Sequence, residues 1–183
     1  LCFHEFAHGF IAYKLGDDTA QRQGRLTLNP LAHLDPIGSL MILFVGFGWA
    51  KPVPVNPLNL NDRHSGMIKV AFAGPASNLL LAFLVGCLLR TVNIFDLPIS
   101  QTFLTVIYYF LIINIQLAIF NLIPIAPLDG SQIFGTLIGR KNPELAWKLQ
   151  VYGPKILLGI ILFGMVTNYS IIGLFISPFI KFF

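Results

Sequence analysis

Of the 183 residues, 55% are hydrophobic and only 11% are charged, where a soluble domain carries about a quarter charged residues. With a mean hydropathy of +0.74, this excludes an ordinary soluble enzyme and places the chain in a lipid bilayer. Twelve Lys and Arg against eight Asp and Glu give a net charge of +4, but the basic residues are spread through loops, which excludes a nucleic-acid interface.

Residues 1–15 predict a helix that ends near Lys14 and Gly16. The chain opens on Leu1, directly on the run His4-Glu5-Phe6-Ala7-His8, with no cleavable signal peptide ahead of it. The expectation is a fragment whose first membrane helix lacks its N-terminal part. Residues 17–35 are polar, and the alternation from Arg22 to Pro30 predicts a short strand or hairpin. Residues 36–50 are apolar but short of the about 20 residues that a span needs, so they read as re-entrant or interfacial. The alternating prolines Pro52, Pro54 and Pro57 make 51–57 an edge strand or extended loop. Residues 66–92, 101–123 and 155–176 are long enough to span, and a short last stretch, 177–183, carries Pro178 and Lys181. The two cysteines, Cys2 and Cys87, lie in apolar runs, which excludes a disulfide framework or a cysteine zinc site and leaves reduced, inert thiols. The fold class is thus an all-α polytopic membrane protein of about four spanning helices, the first one truncated, with a re-entrant segment and a short membrane-associated β-hairpin or edge strand. No repeat or composition shift divides it, so 1–183 reads as one domain.

Loop charges set the orientation. Lys14, Arg22 and Arg25, then Lys51, Arg63 and Lys69, then Arg140, Lys141, Lys148 and Lys155 mark three basic loops. The connection 91–100 has no Lys or Arg, although Arg90 lies at its edge. The basic loops belong on the cytoplasmic side, so 36–50 dips in and returns, and His4 and His8 lie in the cytoplasmic half of the bilayer.

Four residues apart on a helix, His4 and His8 project from one face and can bind the same zinc ion, while Glu5 is close enough to act on water there without being a ligand. Ionisable groups in such apolar surroundings are costly unless paired or bound to metal. A catalytic zinc site usually has a third protein ligand. Asp129 stands out, because it follows the proline-broken end of a spanning helix, Asn121 to Pro127, on the same side and at a similar depth as the histidines. Two plainer roles stay open for it: closing a turn before Gly130, or pairing with a nearby Lys.

Both motifs, in this order, resemble those of the site-2 proteases, the intramembrane zinc metalloproteases. Between them, Gly24 to Pro30, Gly48 to Val55 and Ala73-Gly74-Pro75-Ala76-Ser77-Asn78 look like the compact prokaryotic branch without PDZ or CBS domains. The resemblance implies that one zinc per chain is bound by His4, His8 and Asp129, with Glu5 as the catalytic base. It also implies transmembrane protein substrates, whose helices must unwind before an amide can be cut. Ser131-Gln132 departs from the Gly-Arg-like pair common there. An edge such as 51–57, with Val53 and Val55, or the 22–30 hairpin could hold the unwound segment by strand addition. Asn78 and Asn121 are polar residues in spanning segments that could meet substrate or oxyanion, or simply bond helix to helix. His33 reads as a loop residue bonded to backbone and His64 as solvated. Two rival functions remain. A membrane metal transporter would show a polar path or inverted repeat across the bilayer, which is not seen. An inactive scaffold relative would have no need of Glu5.

Overall fold

The structure, a computed structural model, describes residues 1–45, 48–167, 173, 174 and 178. Among these every regular element is a helix: α1 (Cys2–Lys14), α2 (Thr19–Arg22), α3 (Pro30–His33), α4 (Pro36–Val45), α5 (Arg63–Ile94), α6 (Gln101–Asn121), α7 (Asp129–Gly139) and α8 (Pro143–Thr167). The chain forms two compact units, Leu1–Gly74 and Pro75–Phe183.

In the first unit, α1 stops in a left-handed glycine turn. Gly16 has φ +104, its N–H reaches Tyr13 O at 3.1 Å and the next N–H, of Asp17, reaches Ala12 O at 2.9 Å. This is the Schellman closure, which only a residue tolerant of positive φ completes without strain. The same device ends α2. Gly24 has φ +64, with Gly24 N bonded to Gln21 O and Arg25 N to Ala20 O.

That second closure is why the hairpin expected at 22–30 does not form. The Arg25 N–H is consumed by the helix, Thr27 O accepts from His33 Nε2 at 2.7 Å, and Asn29 caps α3 by accepting from Leu31 N. Local bonds thus take backbone groups that a ladder would need. His33 is bonded to backbone as expected, but it is a buried residue of α3 rather than a loop residue.

Asp35 caps α4 by accepting from Gly38 N. α4 has 10 residues and so runs about 15 Å. The chain then comes back extended. Lys51 N bonds to His33 O at 2.9 Å, and a Cβ on Gly38 would collide with the carbonyl of Trp49. Residues 51–56 belong to no helix and pair with no strand among the described residues. Around them, Ala12, Leu60 and Val70 form a buried core, against which Ile11, Leu15, Val55 and Met67 pack.

The buried Asp17 fastens this unit. It accepts from the Asn56 N–H at 2.7 Å, the Asn59 amide at 3.1 Å, and both the N–H and hydroxyl of Thr19. Burial alone would raise its pKa, but these four donors together hold it below the ordinary 3.8.

In the second unit, Ser100 caps α6 by accepting from Phe103 N, and Asn142 caps α8 by accepting from Leu145 N. Between α6 and α7 the chain folds tightly through Leu122–Leu128, with a cis Ala126–Pro127 bond. A Cβ on Gly130 would stand 2.5 Å from the Ile123 carbonyl oxygen, and one on Gly153 of α8 would stand 2.6 Å from Ala126 N. α7 and α8 pack against each other.

Three described helices, α5, α6 and α8, are long and apolar enough to cross a membrane. Phe83, Val106 and Leu158 stand exposed on them, apolar surface of the kind that lipid covers. The protein is a multi-pass membrane protein with three such helices among the described residues rather than about four. α1, with 13 residues, runs only about 20 Å against a hydrocarbon core of about 30 Å. Most of the expected stretch 177–183, and the end of the last expected span beyond Thr167, lie outside the described residues.

Candidate metal centre

α1 carries His4 and His8 on one face, as their spacing requires. Both rings are buried, 4.6 Å between centroids and almost perpendicular, with Nε2 atoms 3.1 Å apart. His8 Nδ1 lies 2.7 Å from Val70 O on α5. A carbonyl oxygen only accepts, so Nδ1 carries the proton, and in the neutral ring the Nε2 lone pair is presented to His4. Either the Nε2–H of His4 donates to it or a cation takes both lone pairs.

Zinc fits. Two Zn–N bonds of about 2.0–2.1 Å at a tetrahedral angle separate their nitrogens by roughly 3.3 Å, close to the spacing found. A backbone carbonyl on the far nitrogen is the usual partner of a metal-binding histidine.

Gly74 was not singled out as a site residue by sequence reasoning. A Cβ there would stand 2.6 Å from His4 Nε2 and closer still to His8 Nε2. α5 therefore passes the two ring nitrogens at a distance only glycine permits. Its signal was the Ala73-Gly74-Pro75 run, whose purpose is invisible without the tertiary contact.

Glu5, on the same helix, turns to the extended segment. Its Oε2 accepts from Val53 N at 2.9 Å. Val53 is buried and Val55 half-buried against the core, so both side chains anchor the segment. Glu5 and Val53 are thus brought together with the helix that carries the two histidines.

The remaining candidates lie in the second unit. Asp129 is in the first turn of α7, with Leu128 at the cap position, so its backbone is helical rather than that of a capping residue. The helix dipole favours a carboxylate there. Asn78 is buried in α5. Asn121 ends α6 and donates from Nδ2 to Leu117 O at 3.0 Å on its own helix.

Residues 91–164 match Peptidase family M50. The Bacillus subtilis protein named "Putative zinc metalloprotease YwhC" is 46% identical over 139 residues, 74% of this chain and 64% of its own length. Over the matched stretch the chain is similar to Peptidase family M50. Rip2 of Mycolicibacterium smegmatis, which bears the same description as YwhC, is 35% identical over 150 residues, 79% of this chain and 55% of its own. "Zinc metalloprotease MJ0392" of Methanocaldococcus jannaschii is 29% identical over 135 residues, 71% of this chain and 38% of its own. The chain thus spans less than two thirds of the length of these curated relatives. The M50 match covers Asn121 and Asp129 and stops short of the His4-Glu5-Phe6-Ala7-His8 run. No solved structure matches the chain.

Proposed function

We propose that residues 1–183 act as a single transmembrane metalloprotease domain, a zinc endopeptidase that hydrolyses peptide bonds in or near the transmembrane helices of substrate proteins. The observation that carries this reading is the histidine pair, two buried Nε2 atoms 3.1 Å apart with the tautomer of His8 set by Val70 O. His4, His8 and Asp129 hold one zinc per chain. Asp129 is assigned on its residue type, its place after the broken end of α6, and the M50 match that spans it. Bound there, zinc supplies a Lewis acid that polarises the scissile carbonyl and makes water acidic near neutrality.

Glu5 is the general base. It takes the proton of the attacking water and passes it to the leaving amine. Its Oε2 is engaged by the Val53 N–H, so Oε1 is the atom assigned to proton transfer. The substrate helix must unwind, and the stretch 51–56, joined to Glu5 through Val53, supports the reading that the unwound chain is received there. Val53 and Val55 keep that stretch in place. Asn78 and Asn121 are the proposed polar contacts for substrate or developing oxyanion. The similarity to the Bacillus subtilis protein supports a prokaryotic cell membrane, and the basic loops support an active site in its cytoplasmic half, with α4 and its return dipping into that half.

The test is cleavage of a reporter transmembrane helix co-reconstituted with the full chain. Glu5→Gln is expected to lower kcat by at least about 100-fold while zinc stays bound. Unchanged cleavage in that variant contradicts the assignment.

A further inference from the structure

The peptide group that donates to the Glu5 carboxylate accepts, at its other end, from a guanidinium with no role so far. Arg25 Nη2 donates to Lys51 O at 2.8 Å and to Pro52 O at 3.2 Å. Pro52 O and Val53 N belong to one peptide group, and Val53 N donates to Glu5 Oε2 at 2.9 Å. That group is planar and trans, so its C=O and N–H point in opposite directions. A guanidinium therefore lies at the negative end of one peptide dipole and the base at the positive end. Hydrogen bonds arranged in such a chain polarise one another.

The buried Val53 side chain and the neighbouring Lys51 N–H, which donates to His33 O at 2.9 Å, also tie this stretch. Residues 51–56 belong to no helix or strand ladder, and the tie at Asn56 N to Asp17 is three residues further on. The rings of Pro52 and Pro54 stiffen the chain on both sides of Val53, so a pull on Pro52 O is transmitted to Val53 N. A glutamate left to itself samples many rotamers, and proton transfer requires one orientation.

We propose that Arg25 is a positioning residue for the base. Through the rigid Pro52–Val53 peptide it holds the Glu5 carboxylate in the orientation from which protons are moved. The role rests on Glu5 being the base, as proposed above, but the coupling itself is testable without activity.

Hydrogen exchange in the full chain, read by mass spectrometry over 52–55, isolates it, because only Val53 and Val55 carry amides there. Glu5→Ala and Arg25→Ala are each expected to speed exchange in that stretch by about tenfold or more. Arg25→Lys, which can still donate to one carbonyl, should fall between wild type and Arg25→Ala. With the reporter helix, Arg25→Ala is expected to lower kcat by about 10- to 100-fold with KM within about twofold and zinc content unchanged. A merely structural role would instead lower zinc content or raise KM. Exchange over 52–55 unaltered by Arg25→Ala, or unaltered kcat, overturns the proposal. Full cleavage by Glu5→Gln overturns the protease reading and the positioning role with it, while the exchange result still reports whether Arg25 and Glu5 are coupled.

Discussion

At Gly74 the absence of a methyl group is what lets α5 pass the histidine pair. A Cβ at that position would overlap both ring nitrogens of the histidine pair. Gly74→Ala is therefore expected to cost about 1–3 kcal/mol of stability by overpacking and to weaken zinc binding by about 10- to 100-fold. A zinc titration of the purified variant checks this. Asp17 has a different signature, because its carboxylate is buried and its pKa lies below the ordinary value. A depressed pKa contributes stability above the unfolded value of about 3.9, lost as pH falls through the folded one. Wild-type thermal stability should thus be flat above about pH 5 and fall below about pH 4, and Asp17→Asn should flatten that acid slope. The same variant should lose about 1–2 kcal/mol at neutral pH, because charge-assisted hydrogen bonds become neutral ones. That His4 and His8 come together was legible in the sequence because helical spacing alone puts them on one face. Gly74 and Arg25 were not. Their roles depend on which backbone passes close by, and no local pattern records that.

At the scale of elements, length and apolarity located α5 and α6 to within a few residues, because both are continuous stretches that span without help from neighbours. The start of α8 was missed by twelve residues, 155 against the observed Pro143. Its first turns look like a basic loop, yet they have Asn142 as cap, Pro143 at the first helical position and a Glu144–Lys148 ion pair one turn apart, all local helix signals. The hairpin at 22–30 failed for the opposite reason. Alternation was read as strand, whereas Gly24 is a helix stop. Nothing stands within 4 Å of a Cβ built on Gly24, so Gly24→Ala isolates the backbone term at φ +64. It should lower stability by about 1–2 kcal/mol, and Gly24→Asn by less, as differential unfolding would show.

For the whole molecule, the three described helices long enough to span and the distribution of basic loops lead to the proposed orientation, which labelling can read. With Cys2 and Cys87 replaced, Gln21→Cys and Leu145→Cys should react from the cytoplasmic side and Phe95→Cys from the outside. Reaction of Phe95→Cys from the cytoplasm contradicts the topology. The composition made the bilayer plain, and the two motifs carried the resemblance to a family whose match spans the second of them. Which carboxylate completes the metal site depends on long-range packing that neither motif encodes. Elemental analysis of zinc per purified chain, in the starting protein and in Asp129→Ala, tests that assignment directly. About one zinc per chain, lost or strongly weakened in the variant while helical content is kept, is the expected result. Zinc fully retained without Asp129 would contradict the ligand assignment, and well-folded starting protein that binds no zinc would contradict the metalloprotease reading.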